Sequence, residues 1–233
     1  MDPATARELV QAFERFASDE SLAVAVLTGA GGNFCAGFDL KQLAAAPSSY
    51  TPGAKGDGPM GPTRMQLDKP VIAAIEGYAV AGGLEVALWC DLRIAGRGAT
   101  LGVFNRRFGV PLIDLGTIRL PRLIGEARAM DLILTGRPVD ATEALQFGLV
   151  SRVVDAGHAL DEAKKLAHRL AEFPQGSLRA DRRSVKAQWS LSLDEAIAAE
   201  YEGGANVIAS GEPQAGARAF AEGKGRHGRT PQS

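Results

Sequence analysis

Ala81-Gly-Gly-Leu-Glu-Val-Ala-Leu-Trp-Cys-Asp91 is the stretch on which the reading of this chain turns. It follows the apolar run Pro70-Val-Ile-Ala-Ala-Ile75 and reads as strand, glycine turn, helix. Leu84, Val86, Ala87, Leu88, Trp89 and Cys90 leave the helix no polar face, which predicts burial. Gly82 and Gly83 fall where the first N–H groups of a helix lack intrahelical partners. The helix dipole adds about half a positive charge there, so this end favours an anion or an oxygen becoming one. Glu85 alone interrupts the apolar run. Burial of this kind raises a carboxyl pKa and suits proton transfer. The alternative is that Glu85 only complements the dipole of an ordinary core helix.

Working outward, 233 residues are enough for one large α/β domain with a substantial core. Hydrophobic residues at 45% and charged residues at 23% describe an ordinary globular composition. A net charge of −1 gives no reason to expect nucleic acid or an anionic membrane as partner. No apolar run reaches the roughly 18 residues of a membrane span, and the N-terminus lacks the pattern of a secretory signal. Cys35 and Cys90, both in apolar surroundings, read as buried thiols of a cytoplasmic protein, with neither a disulfide nor a metal site expected. His158, His168 and His227 all lie in the last third, away from any nucleophile-like serine, which argues against a Ser-His-Asp arrangement.

Toward the N-terminus, Asp2-Pro3 starts a helix over residues 3–17, with Leu9, Val10, Phe13 and Phe16 at helical spacing. Residues 22–28 suit a buried parallel strand. The segment Phe34-Cys-Ala-Gly-Phe-Asp-Leu-Lys41 turns from loop into a short helix. The preceding glycines do not make a dinucleotide fingerprint, because Phe34 stands where its last glycine belongs. Residues 45–63, rich in Ala, Pro, Gly and Ser, predict a mobile flap.

Toward the C-terminus, strands are expected at 91–96, 100–103 and 149–154, and helices at 119–135, 140–146, 159–173, 176–190 and 193–209. Asp114 is a charged residue between apolar neighbours, just ahead of a Gly-Thr helix start. It reads equally as a cap or an ion-pair partner of Arg106, Arg107 or Arg119, and as a catalytic group. Lys224, Arg226 and Arg229 read as solvated charge.

Together, Phe34–Lys41 and Gly77–Asp91 resemble the two motif regions of the crotonase (enoyl-CoA hydratase/isomerase) superfamily. The likeness continues through Phe104–Gly125, Leu132-Ile-Leu-Thr-Gly-Arg-Pro-Val-Asp-Ala141 and Gly148-Leu-Val-Ser-Arg-Val-Val154. The resemblance implies an α/β fold, a spiral of ββα units, with a core over residues 1–190 and a helical trimerisation region and tail over 191–233. It implies an acyl-CoA thioester as substrate, with CoA entering as part of it and no other cofactor, and a homotrimer or dimer of trimers. The N–H groups of Phe38 and Gly82 match the pair that holds the thioester oxygen as it becomes an enolate. Ala36, Gly37, Asp39, Lys41 and Asn105 fall at substrate- and CoA-side positions.

The sequence departs from the family pattern twice. Glu85 matches the glutamate that handles water at Cβ, but Asn105 stands at the second glutamate position, and an amide cannot transfer a proton in this way. Asp114 matches an aspartate used as acid/base by some members, dienoyl-CoA isomerases among them, and is expected to serve the α-carbon with Glu85. The family's N-terminal hairpin and arginine-containing segment have no counterpart here, and two expectations stand: either the start codon was placed late, or the protein lacks a piece of its first layer. The leading expectation is enoyl-CoA hydration. The alternatives are an enoyl- or dienoyl-CoA double-bond isomerase and a catalytically silent CoA-binding protein.

Overall fold

The apolar runs become strands of two small sheets. The computed structural model of the protein describes residues 1–45, 53 and 55–225. Among these the strands are β1 (Ala25–Thr28), β2 (Val71–Ile75), β3 (Tyr78–Val80), β4 (Leu92–Gly96), β5 (Thr100–Gly102), β6 (Val139–Asp140) and β7 (Arg152–Val154). The first sheet is parallel, in the order β1-β2-β4-β7; the second has the order β3-β5-β6, with β6 antiparallel to β5. Every residue of β2 is buried, as expected for an unbroken apolar run between two parallel neighbours.

The helices are α1 (Pro3–Ser18), α2 (Leu40–Ala45), α3 (Gly82–Trp89), α4 (Gly116–Ile124), α5 (Glu126–Thr135), α6 (Ala141–Phe147), α7 (Ala159–Ala171), α8 (Gln175–Ala187), α9 (Leu193–Ala209) and α10 (Glu212–Ala221). The chain folds as two compact units, Met1–Ala167 and His168–Ser233. The division expected after residue 190 falls inside the second unit, between α8 and α9. That unit is helical: α8 packs on α9, and the Glu212 carboxylate accepts the N–H groups of Gly176 and Ser177 at 2.9 and 2.7 Å.

Several expectations need correction. The strand expected over 22–28 starts only at Ala25, because the Asp19 carboxylate accepts the Ser21 N–H and hydroxyl and keeps residues 19–22 in a turn. The single helix expected over 119–135 is two, broken at Gly125, whose φ of 82° no helix continues through. β3, β6 and α10 were not expected: the strands are too short to show a period, and α10 begins beyond the turn at Gly211. Cys90 is buried, but Cys35 is only partly so.

The expected flap divides. Residues 46–52 and 54 lie outside the described residues. Residues 58–64 are anchored: Gly58 pairs with Gly61, a 3-10 turn runs over Pro62–Arg64, and Met60 and Thr63 are fully buried. This turn is part of the core of the first unit. Of the three basic tail residues, Lys224 lies 3.7 Å from Glu222, and Arg226 and Arg229 lie outside the described residues.

Candidate active site

Two loops meet at the start of α3 because the backbone zips them together. The Phe34 N–H donates to the Glu76 carbonyl, Cys35 N–H to Tyr78, and Val80 N–H back to Cys35, so residues 34–36 run beside β3 as an extra short strand. The next residues on each side are therefore brought together: Gly37 on one, Ala81 and Gly82 on the other. A side chain at Gly37 would reach Ala81 Cβ at 3.0 Å and the Gly82 nitrogen at 3.2 Å, and Gly37 has a φ of 99°. Only glycine meets both conditions. Phe38 follows it directly in the chain. Gly82 opens α3, and its N–H has no acceptor within the helix. Ala81, just before it, has a φ of 54° without being glycine, a strained conformation of the kind that clusters at functional sites.

Glu85 stands one turn into α3 and is 3% exposed. Its Oε1 accepts the N–H groups of Asp114 and Gly116 at 2.9 and 2.8 Å. Both donors reach one oxygen because Leu115 between them adopts a left-handed conformation, φ 69°, the second positive-φ residue of the described chain that is not glycine. Gly116 has no room for a side chain, since a Cβ there would lie 2.7 Å from Oε1. One carboxylate oxygen of Glu85 is thus fixed by the protein, and Oε2 makes no such bond. Burial, reinforced by the Asp114 charge, pushes the Glu85 pKa up to about 7, against the pull of its two N–H donors.

Asp114 is 2% exposed. Its Oδ1 accepts the Met60 N–H at 3.1 Å and a short hydrogen bond from the Thr63 hydroxyl. Burial raises its pKa, and the Thr63 and Met60 donors and the Arg64 and Arg119 charges oppose the rise. Asp114 does not cap α4, and the Arg119 charge acts on it without a direct bond to its carboxylate. Arg119 donates instead to the Asp114 backbone carbonyl at 3.2 Å. The same guanidinium donates to the Thr63 carbonyl at 2.6 Å, and Arg64 to the Ile113 carbonyl at 3.1 Å. These two arginines bind the 58–64 turn to the segment carrying Asp114. Met60 also packs on Gly82, where a Cβ would lie 2.7 Å from its sulfur.

The remaining candidates take different places. Ala36 lines a cavity of about 420 Å³ with Phe34, Cys35, Thr5, Leu9 and Val86. Asp39 caps α2: its Oδ1 accepts the N–H groups of Lys41 and Gln42 at 2.9 and 3.3 Å. Lys41 is exposed on that helix. Asn105 is buried, and its Nδ2 donates to the Val110 carbonyl at 2.7 Å, closing the turn after β5, while its Oδ1 has no partner among the described residues. Glu85 and Asp114 are thus brought together, as are Gly37 and Gly82. Met60 and Thr63 were missed. The only sequence signal for them is the pair of glycines, Gly58 and Gly61, that frames their turn.

Residues 1–227 match the family described as enoyl-CoA hydratase/isomerase. The chain is 38% identical to enoyl-CoA hydratase EchA19 of Mycobacterium tuberculosis over 224 residues, 93% of this chain and 83% of that protein. It is 38% identical to the (E)-benzylidenesuccinyl-CoA hydratase of Thauera aromatica, covering 84% of this chain and 77% of that one. The crystal structure of enoyl-CoA hydratase EchA1 from Mycobacterium marinum superimposes with a TM-score of 0.88 at 37% identity, over 95% of this chain and 86% of that one.

Proposed function

This chain belongs to the enoyl-CoA hydratase/isomerase family and has the crotonase fold, and from that premise we propose that it adds water across the Cα–Cβ double bond of an enoyl-CoA thioester. The observation that carries the reading is the buried pair Glu85 and Asp114, each with one oxygen held by two protein donors and the other not so held. Two adjacent buried carboxyls do not both ionise readily, so below a pH of about 7 the pair holds one proton. Glu85, lifted to about 7, keeps it; the Thr63 and Met60 donors favour ionised Asp114. This reverses the division of labour that the motif positions imply.

Asp114 then takes a proton from water as its oxygen bonds to Cβ. The π electrons move to the thioester oxygen, which the N–H groups of Phe38 and Gly82 hold as an enolate. Glu85 gives its proton to Cα as the enolate collapses. Proton transfer from Asp114 to Glu85 restores the resting pair. CoA enters and leaves as part of the substrate and no further cofactor takes part, with Ala36, Asp39 and Lys41 on its side of the site. Among the described residues no helix is long and apolar enough to cross a membrane, which is compatible with a cytoplasmic enzyme.

One observation favours a double-bond shift as the second reading. Asn105, at the place of a second glutamate, spends its amide N–H on Val110, and Asp114 beside Glu85 could return a proton that Glu85 removes, with no water consumed. The two readings separate on the product, because only hydration places a new oxygen on Cβ. For hydration, kcat/KM should fall above a pH of about 7 as Glu85 loses its proton. A rate that stays level through that pH contradicts the assignment of Glu85 as the acid.

A further inference from the structure

The geometry assigns Thr63 as the positioning residue that keeps the shared proton off Asp114: its hydroxyl fixes Oδ1 as the charge-bearing oxygen of the water-activating carboxylate. This rests on the reading of Glu85 and Asp114 as the catalytic pair and deepens it.

Thr63 is fully buried, and its hydroxyl donates to Asp114 Oδ1, which also accepts the Met60 N–H at 3.1 Å. A hydroxyl that donates to one carboxylate oxygen cannot be served by a proton on that same oxygen, so protonation of Asp114 is confined to Oδ2. Hydrogen bonds from neutral donors to an ionised acceptor favour its charged form. The backbone N–H of Met60 is present whatever side chain stands there, whereas the hydroxyl belongs to Thr63 alone. It is the component of this pair of bonds that a substitution can remove.

The turn is built around the contact. A side chain at Gly58 would overlap both Thr63 Oγ1 and Asp114 Oδ1, so the chain approaches them only because Gly58 has none. Arg119 grips the carbonyls of Thr63 and Asp114 together, and Arg64 holds the Ile113 carbonyl. The charged groups facing Asp114 are therefore Glu85 from α3, Arg64 from the 3-10 turn and Arg119 from α4. None of them donates a hydrogen bond to its carboxylate, which leaves Thr63 as the side-chain donor that acts on it.

Thr63→Val keeps the shape and removes the donor, and Thr63→Ser keeps the donor. With an enoyl-CoA as substrate, Thr63→Val should lose about ten- to a hundredfold in kcat, the worth of one hydrogen bond to a charged group. KM should change little. The acidic limb of the kcat/KM profile, which reports ionisation of Asp114, should move up by about one pH unit. Thr63→Ser should recover most of the rate and return the limb to its place. The inference is overturned if Thr63→Val loses rate with the limb unmoved, if it turns over like the parent, or if Thr63→Ser is as impaired as Thr63→Val. Asp114→Asn, measured beside them, isolates the premise. An Asp114→Asn enzyme as fast as the parent removes the catalytic pair itself, whereas an inactive one beside an unimpaired Thr63→Val removes only the role of Thr63.

Discussion

Burying Glu85 beside Asp114 disfavours its ionised form, so the folded protein holds a proton there that the unfolded chain releases near the ordinary value of 4.5. Between a pH of about 4.5 and about 7 the folded state therefore binds more protons than the unfolded one, and stability declines as pH rises through that window. Glu85→Gln keeps an oxygen to accept the N–H groups of Asp114 and Gly116 and carries no charge at any pH. It should be more stable than the parent above a pH of about 7, by about 3 kcal/mol, with the advantage fading toward a pH of about 4.5. Denaturant unfolding at the two ends of the window checks this, and a parent as stable as the variant at the upper end contradicts it. Glu85 and Asp114 were legible in the sequence because a carboxylate within an apolar run needs a reason. Thr63 was not, since a threonine in a Gly- and Pro-rich segment looks like any loop residue until the fold lays it on Asp114. The role of the Asn105 amide in closing its own turn was equally invisible, because it depends on a backbone carbonyl five residues away.

Among the elements, α3 carries the site, and both of its ends are held by groups remote in sequence. At the N-terminal end the register of residues 34–36 on β3 delivers Gly37 to Gly82. At the C-terminal end Arg93, in β4 and 5% exposed, donates to the carbonyls of Cys90 at 2.7 Å and Ala87 at 3.4 Å, and to Leu149 at 2.8 Å. Carbonyls at a helix end need such donors. Arg93→Leu should destabilise the fold by about 3 kcal/mol by leaving several of them buried and unpaired. A denaturation midpoint unchanged from the parent contradicts this capping role. The long elements could be read from the chain: α1 by its period and its Asp2 cap, β2 by its unbroken apolar run, and α3 by its glycines. β3 could not, being three residues long, and it is the strand that aligns the two loops. The break at Gly125 was also missed, because the apolar spacing runs on across it.

At the scale of the whole molecule, the helical second unit leaves Leu193, Ile197, Tyr201 and Ile208 of α9 between 59% and 77% exposed. A set of exposed apolar side chains this large on one helix marks a protein interface. We propose that it joins copies of this chain about a threefold axis. Light scattering after size exclusion should give a mass that is a multiple of three times 24.4 kDa, and a monomer of 24.4 kDa would contradict it. The family could be read from the ordered motifs, while the division of the chain at residue 167 could not, since α7 spans it with no change of composition. The central claim is that Asp114 takes one proton from the added water and Glu85 delivers one to Cα, while the water's second proton stays on the new hydroxyl. It is tested most directly by incubating the protein with an enoyl-CoA in oxygen-18 water and weighing the product. The parent should place one labelled oxygen on the acyl chain, and Glu85→Gln and Asp114→Asn should each lower that rate by about 10²–10⁴-fold. Label incorporated by either variant at the parent's rate, or an acyl chain rearranged by the parent without label, would contradict it.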